Sequence, residues 1–329
     1  MKALVTGARG LIGSHICRVL LKKGDLVRGL FLPGEDAGDL QEEGVEVARG
    51  DITKPPTLKG CARDCDVVYH CAARVLDWGP RRLFTESITH GTHNMLNESL
   101  GQAKRFVYLS SIAAYGLKYH NKDGTEDAPL RKVGIPYGDC KADAEGVCRS
   151  YHGREGLEVT IIRPSNVFGP TSVWVRDVMD AFQRGPVPLI DGGRCDTAFI
   201  FVENLVDGII AASQSPAAAG RAYHFADDYH VTWREYNITM AELVGKRPMG
   251  SLPFSLAWYL AHATELACHP FGVRPPFTRL AVGVMGRENH VDCTRAKKEL
   301  DFSTRVDYEE AMDKTIRWVE ESYLPEKSR

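Results

Sequence analysis

Three glycines set three residues apart, Gly7, Gly10 and Gly13, fall in the run Val5-Thr6-Gly7-Ala8-Arg9-Gly10-Leu11-Ile12-Gly13. An apolar segment precedes them and a long apolar-periodic segment follows, so a strand turns abruptly into a helix here. Glycine suits such a turn because the backbone bends tightly, a phosphate must reach the main chain, and the new helix must lie close to its strand. Free amides at the start of that helix, with the positive end of its dipole, attract a pyrophosphate. The spacing G-x-x-G-x-x-G differs by one residue from the familiar G-x-G-x-x-G, and its meaning rests on its place between strand and helix.

Up to residue 165, β-rich runs alternate with helical stretches. Strands are expected at 3–6, 26–32, 45–49, 66–71, 105–110 and 157–163, and helices at 11–23, 58–63, 82–100 and 137–154. Regular alternation implies right-handed βαβ crossovers and an α/β fold, a doubly wound parallel (Rossmann) sheet covered on both faces. After Pro164 the pattern becomes irregular, with Pro186, Pro188, Pro253, Pro270, Pro275 and Pro276 among shorter helices. A dinucleotide-binding domain over 1–165 and a smaller, mixed substrate-binding region over 166–329, partly interleaved with it, are expected.

Composition narrows the function classes. A formal net charge of −2 leaves no electrostatic footprint for nucleic acid. No apolar stretch reaches membrane-spanning length and the first strand starts at once, so a cytoplasmic location is expected. The nine cysteines should be free thiols, with Cys17, Cys71 and Cys148 in apolar segments. Cys61 and Cys65 lack the second pair or the histidines of a zinc pattern, and no metal is expected.

Tyr137-Gly138-Asp139-Cys140-Lys141 places a phenol and an amine on one helix face. A cation beside the phenol, together with an oxidised nicotinamide, lowers a pKa that is ordinarily about 10 and equips it for acid–base work on a carbinol. The spacing alone is cheap: Tyr323 and Lys327 repeat it in a polar, proline-interrupted tail, where it reads as coincidence. Context singles out the first copy. Ser111, in Leu109-Ser110-Ser111, ends the fifth strand and so faces the same crevice as the glycine turn.

Together these pieces resemble the extended short-chain dehydrogenase/reductase family. The likeness runs through Thr6-Gly7-x-x-Gly10-x-x-Gly13, Gly50-Asp51-Ile52, His70-Cys71-Ala72-Ala73, Leu109-Ser110-Ser111, Tyr137-x3-Lys141 and Arg163-Pro164-Ser165-Asn166-Val167-Phe168-Gly169-Pro170. It implies that Ser111, Tyr137 and Lys141 polarise the substrate oxygen, move its proton and position the nicotinamide ribose. It also implies an NAD(P)(H) site of Gly7, Arg9, Gly10, Leu11, Ile12 and Gly13 at the phosphates. Asp51 and Ile52 would flank the adenine, Cys71, Ala72 and Ala73 would lie along the dinucleotide, and Pro164 to Val167 would approach the nicotinamide.

Phe201-Val202-Glu203-Asn204-Leu205-Val206-Asp207-Gly208 and Arg221-Ala222-Tyr223-His224-Phe225 look most like the branch of 3β-hydroxysteroid and sterol-carboxylate dehydrogenases. Leu252, Leu256, Tyr259, Leu260, Ala263 and Leu266 form one helical stripe near Phe254, Trp258 and Phe271, read as core, as an apolar substrate lid or as a membrane-surface contact. Two departures from the family stand out. Where the second strand commonly ends in an acidic ribose acceptor this chain has Phe31, unless Glu35 or Asp36 replaces it, and Arg9 could meet a 2′-phosphate, which leans the cofactor toward NADP. The usual Asn-Val-x-Gly-Thr reads Ile88-Thr89-His90-Gly91-Thr92.

The expectation is an NAD(P)-dependent oxidoreductase that interconverts a secondary alcohol and a ketone on a hydrophobic, steroid-like or lipid-like small molecule. A nucleotide-sugar epimerase or reductase is the alternative, with Arg194 as a candidate pyrophosphate ligand. A nucleotide-sensing protein without turnover is disfavoured, because it need not keep Ser111, Tyr137 and Lys141 together. The family likeness suggests a homodimer through helices 82–100 and 137–154, whose apolar faces could equally be core.

Overall fold

The computed structural model describes residues 1–327. Its main sheet holds β1 (Lys2–Thr6), β2 (Leu26–Phe31), β3 (Glu46–Arg49), β4 (Val67–His70), β5 (Arg105–Leu109) and β6 (Glu158–Pro164). Two short pairs follow, β7 (Asn166–Phe168) with β9 (Phe199–Phe201) and β8 (Leu189–Ile190) with β11 (Ser251–Leu252), while β10 (Ala222–Phe225) returns to the main sheet. The order β10-β6-β5-β4-β1-β2-β3 is parallel throughout. Strand order reverses between β1 and β4, and a doubly wound sheet opens its ligand crevice at such a switch point.

Alternation along β1 places Ala3 and Val5 in one apolar layer and Leu4 in the other, so both faces of the sheet are covered. Helix Leu11–Lys22 buries Gly13, Ile16, Cys17 and Leu20, and Gly24 ends it at φ +81°. The expected strands agree with those observed to within two residues at each end.

The helix expected over 58–63 is absent. Leu58, Cys61, Ala62 and Cys65 have helical spacing and are buried, yet Gly60 (φ +82°) and Asp64 (φ +60°) turn the chain between them. The stretch expected as a helix over 82–100 is helical as far as Ser99, but Thr85–His90 widens into a π-helix between Arg81–Phe84 and Gly91–Ser99. Such widening recurs at functional sites. It coincides with the Ile88 to Thr92 departure from the family motif.

The predicted C-terminal stripe faces outward except at Leu252, which lies in β11, before the helix, and packs half-buried against the core. Helix Phe254–Cys268 buries Phe254, Ala257, Trp258 and Ala261, whereas Leu256, Tyr259, Leu260, Ala263 and Leu266 are exposed. The reading of this stripe as core is therefore wrong, because the helix is apolar on both sides. All nine cysteines are free. Among the described residues no helix is long and apolar enough to cross a membrane.

Candidate active site

The glycine turn is built against the end of β4. Gly7 has φ +64°, and a Cβ on it would lie 2.9 Å from the Ala72 nitrogen. A Cβ on Gly13 would lie 2.2 Å from the Gly7 carbonyl oxygen, so the helix can start only where a side chain is missing. Gly10 N–H donates to the Gly7 carbonyl at 2.9 Å, and no side chain caps the helix that Gly10 begins. Its first amides are left for a ligand. A side chain at either glycine would fill this turn, so the backbone here fits a dinucleotide pyrophosphate.

Thr6 fastens the turn to its neighbour. Its Oγ1 accepts from Ala72 N–H at 3.0 Å and shares a hydrogen bond with His70 Nδ1 at 2.9 Å, while His70 Nε2 meets Thr92 Oγ1 at 3.2 Å. Burial, aided by the Lys141 ammonium, lowers the His70 pKa to about 3, so the ring is neutral. Gly7, Arg9, Gly10, Leu11, Ile12, Cys71, Ala72, Ala73 and Val167 remain at least partly exposed around the crevice, whereas Gly13, Phe31, Ile52 and Pro164 are buried. Asp51 is turned to its own loop, accepting from Thr53 N–H at 2.9 Å and Thr53 Oγ1 at 2.7 Å.

At the end of β2 the carboxylates also close their own loop. Glu35 accepts from Leu32 N–H at 2.9 Å and Asp36 from Gly38 N–H at 3.0 Å. Two arginines flank them. Arg9 Nη1 donates to the Asp36 carbonyl at 2.8 Å, and Arg49 lies 5.7 Å from the Phe31 ring centre and donates to the Glu35 carbonyl. Neither has a carboxylate partner among the described residues. Arg49 escaped the sequence reading because it belongs to β3, outside any motif.

Ser111 and Tyr137 meet through a glycine. Ser111, extended at φ −168°, accepts from Ala113 N–H at 3.1 Å and caps the 3-10 turn Ile112–Tyr115. Helix Pro136–Tyr151 lies on that turn at Gly138, where a Cβ would stand 2.4 Å from the Ala113 carbonyl oxygen. Burial pushes the Tyr137 pKa up to about 12, opposed by a side-chain hydrogen bond with Ser111. Lys141, one turn on, is buried; its Nζ donates to the Leu109 carbonyl and stands 5.9 Å from the Tyr137 ring centre. Burial lowers the Lys141 pKa to about 8, against the pull of Cys71, Cys148 and Glu145. The free protein at neutral pH therefore carries a phenol beside an ammonium.

One further turn along this face stands Glu145, unrecognised in the sequence although it continues the spacing of Tyr137 and Lys141. It accepts from Ser110 Oγ at 2.6 Å and from Arg163 at 2.8 and 2.6 Å, with both charged groups sealed from solvent. Arg163 also donates to the Tyr115 hydroxyl, which meets His224 Nε2 at 2.7 Å. The network ties β5, β6, β10 and the tyrosine helix into one frame. Asp139 fixes the start of the same helix, bound by Arg81 at 2.6 Å and by Val133 N–H at 3.0 Å. The other Tyr-x3-Lys pair lies away from this frame, where Tyr323 and Lys327 both bind Asp180.

At Ile135 and Pro136, where the tyrosine helix starts, a cavity of about 190 Å³ is lined by Trp78 and Leu266 together with the charged Asp77, Arg81, Glu265 and Arg279. Helix Phe254–Cys268 contributes His262, Glu265 and Leu266 to its wall.

The chain belongs to the NAD dependent epimerase/dehydratase family, whose pattern matches residues 3–226. It is an oxidoreductase-type enzyme of an NAD-dependent family. Among its relatives, the 4-hydroxy-2-methyl-3-oxo-4-farnesyl-3,4-dihydroquinoline-1-oxide ketoreductase of Stigmatella aurantiaca is 28% identical over 321 residues, covering 95% of each chain. The sterol-4-alpha-carboxylate 3-dehydrogenase, decarboxylating, of Mus musculus is 26% identical over 96% of this chain and 90% of its own. In fold, the UDP-glucuronic acid 4-epimerase of Bacillus cereus, solved with UDP-glucuronic acid and NAD, superposes with a TM-score of 0.74 at 21% identity, covering 98% and 99% of the two chains.

Proposed function

We propose that the enzyme interconverts a secondary alcohol and a ketone on a hydrophobic, steroid-like or lipid-like small molecule, using Ser111, Tyr137 and Lys141. The observation that supports this reading is the Gly138 seat, which packs the helix of Tyr137 against the turn that Ser111 caps, with Lys141 buried one turn along. When bound, the nicotinamide exchanges a hydride with the carbinol carbon. Tyr137 gives its proton to the carbonyl oxygen in reduction and takes it back in oxidation. Ser111 donates a hydrogen bond to that oxygen, and the Lys141 ammonium stabilises the phenolate.

Gly7, Gly10 and Gly13, with the amides of Leu11 and Ile12, would hold the dinucleotide phosphates, and Ala72 and Ala73 would lie along it. Arg9 and Arg49, both without acidic partners among the described residues, favour a 2′-phosphate and hence NADP. Residues 166–329 serve as the substrate-binding region, and the exposed apolar face from Leu256 to Leu266 suits contact with a membrane surface where such a substrate dissolves. A cytoplasmic homodimer completes the proposal; its interface would use residues outside the inner faces of the 82–100 and 137–154 helices, since those faces are buried within the chain. The ketoreductase and sterol-dehydrogenase relatives, with the exposed apolar face of helix Phe254–Cys268, favour this reading over a nucleotide-sugar epimerase or reductase. Tyr137→Phe tests it: turnover should fall roughly 10²- to 10⁴-fold while dinucleotide affinity, read by calorimetry, stays within about threefold. Unchanged turnover would remove Tyr137 from the reaction.

A further inference from the structure

The Lys141 ammonium is buried without a carboxylate of its own among the described residues. Its Nζ donates to the Leu109 carbonyl, and Glu145, one turn further along the helix, is already held by Arg163 at 2.8 and 2.6 Å. The other groups that face the ammonium are uncharged. His70 and Cys71 stand at the end of β4 and Cys148 on the lysine's own helix; burial keeps the imidazole neutral and pushes both thiols up, so they stay protonated. A charge taken out of water needs compensation, and one carbonyl supplies only part of it.

Two aromatic faces lie within reach. Lys141 Nζ stands 5.0 Å from the Tyr108 ring centre, against 5.9 Å for Tyr137, and Tyr108 is only 1% exposed. An ammonium is attracted most strongly to an aromatic face where water is excluded. Strand register explains why Tyr108 stands there. Thr6 of β1 pairs with His70 of β4, and His70 with Tyr108 of β5, so the three side chains form one row across the carboxyl edge of the sheet. Thr6 Oγ1 meets His70 Nδ1 at 2.9 Å, and the His70 ring stacks on that of Tyr108 at 6.0 Å and 25°. The row runs from the glycine turn, which follows Thr6, to the buried lysine.

We propose that Tyr108 is a positioning residue: its ring face holds the Lys141 ammonium at the carboxyl edge of the sheet, and the row from Thr6 fixes where that face lies. Its role in catalysis rests on the reading of Lys141 as the partner of Tyr137, whereas the contact itself is tested without substrate. Urea midpoints followed from about pH 6 to about pH 10 give the pH at which stability begins to rise, as the folded protein releases the lysine's proton. The part of the rise that Lys141→Met lacks belongs to the lysine. Without the ring face the folded protein gives up that proton sooner, so in Tyr108→Leu the onset should move down by roughly one pH unit. Tyr108→Phe keeps the face and should leave the onset where it is in the natural protein. Phenylalanines of increasing ring fluorination, introduced at position 108, keep the shape and weaken the face, so the onset should fall step by step along the series. That series decides the matter if Tyr108→Leu does not fold. An onset unmoved in Tyr108→Leu or along the fluorinated series overturns the proposal, because a packing role lowers the midpoint alike at every pH. An equal shift in Tyr108→Phe overturns it too, by assigning the effect to the hydroxyl. Tyr137→Phe turnover, measured separately, reports on the catalytic reading alone.

Discussion

The two walls of the crevice are finished to different degrees. On the glycine side Thr6, His70, Thr92 and Ala72 match one another's donors and acceptors. Toward helix Phe254–Cys268, Arg74 Nε and His262 Nδ1 are buried without partners among the described residues, and Leu266 and Tyr259 stand 62% and 69% exposed. One region has its donors and acceptors matched within the protein, and the other leaves some of them open. A cofactor common to a family can be met by fixed backbone; a substrate that differs between its members is met by side chains left open.

The largest expected effects come from putting a methyl group into each wall's closest backbone approach. Gly13→Ala forces a Cβ to 2.2 Å from the Gly7 oxygen, and dinucleotide affinity should fall by roughly 100-fold or more, with a stability loss of about 1–3 kcal/mol. Gly138→Ala pushes the tyrosine helix off the Ser111 turn, where a shift of about 1 Å should lower kcat roughly 10²-fold and leave dinucleotide affinity near that of the parent. If both variants lost affinity and kcat alike, the separation of the walls would be wrong.

A smaller effect isolates the buried ammonium. Lys141 titrates at about 8 in the folded protein and at its ordinary 10.5 in the unfolded chain. Between those values the unfolded state holds the extra proton, so stability rises with pH by up to about 1.4 kcal/mol per unit. Urea midpoints at pH 8 and pH 10 should show this rise in the natural protein and lose that part of it in Lys141→Met. Parallel slopes in the two proteins would place the lysine in a wetter setting than the fold indicates.

The smallest effect concerns the adenosine end. Arg9→Ala should cut the preference for NADPH over NADH by about tenfold, the worth of one charge-assisted hydrogen bond. Competitive titrations of both dinucleotides give the ratio, and an unaltered ratio leaves Arg9 as a loop staple for Asp36.

What the sequence discloses follows the same division. Gly7, Gly10, Gly13, Tyr137 and Lys141 act within one turn or one helix, so their spacing along the chain carries their geometry. Arg49 reaches Glu35 and the Phe31 ring from a neighbouring strand, and no local pattern records that pairing. Residues 58–63 misled for the converse reason: Leu58, Cys61 and Ala62 have helical spacing, but Gly60 and Asp64 adopt positive φ and break the path. Helix Phe254–Cys268 misled because its apolar residues surround it, so periodicity could not tell the buried face from the open one.

The seventh strand of the main sheet, β10, comes from the chain beyond residue 165 and hydrogen-bonds to β6. Severing the chain at residue 165 would strip β6 of its partner and remove His224 from Tyr115, leaving a bare strand edge prone to aggregation. Exchanging substrate preference between relatives by recombination therefore requires that the donor piece bring this edge strand with it, together with a histidine able to meet Tyr115.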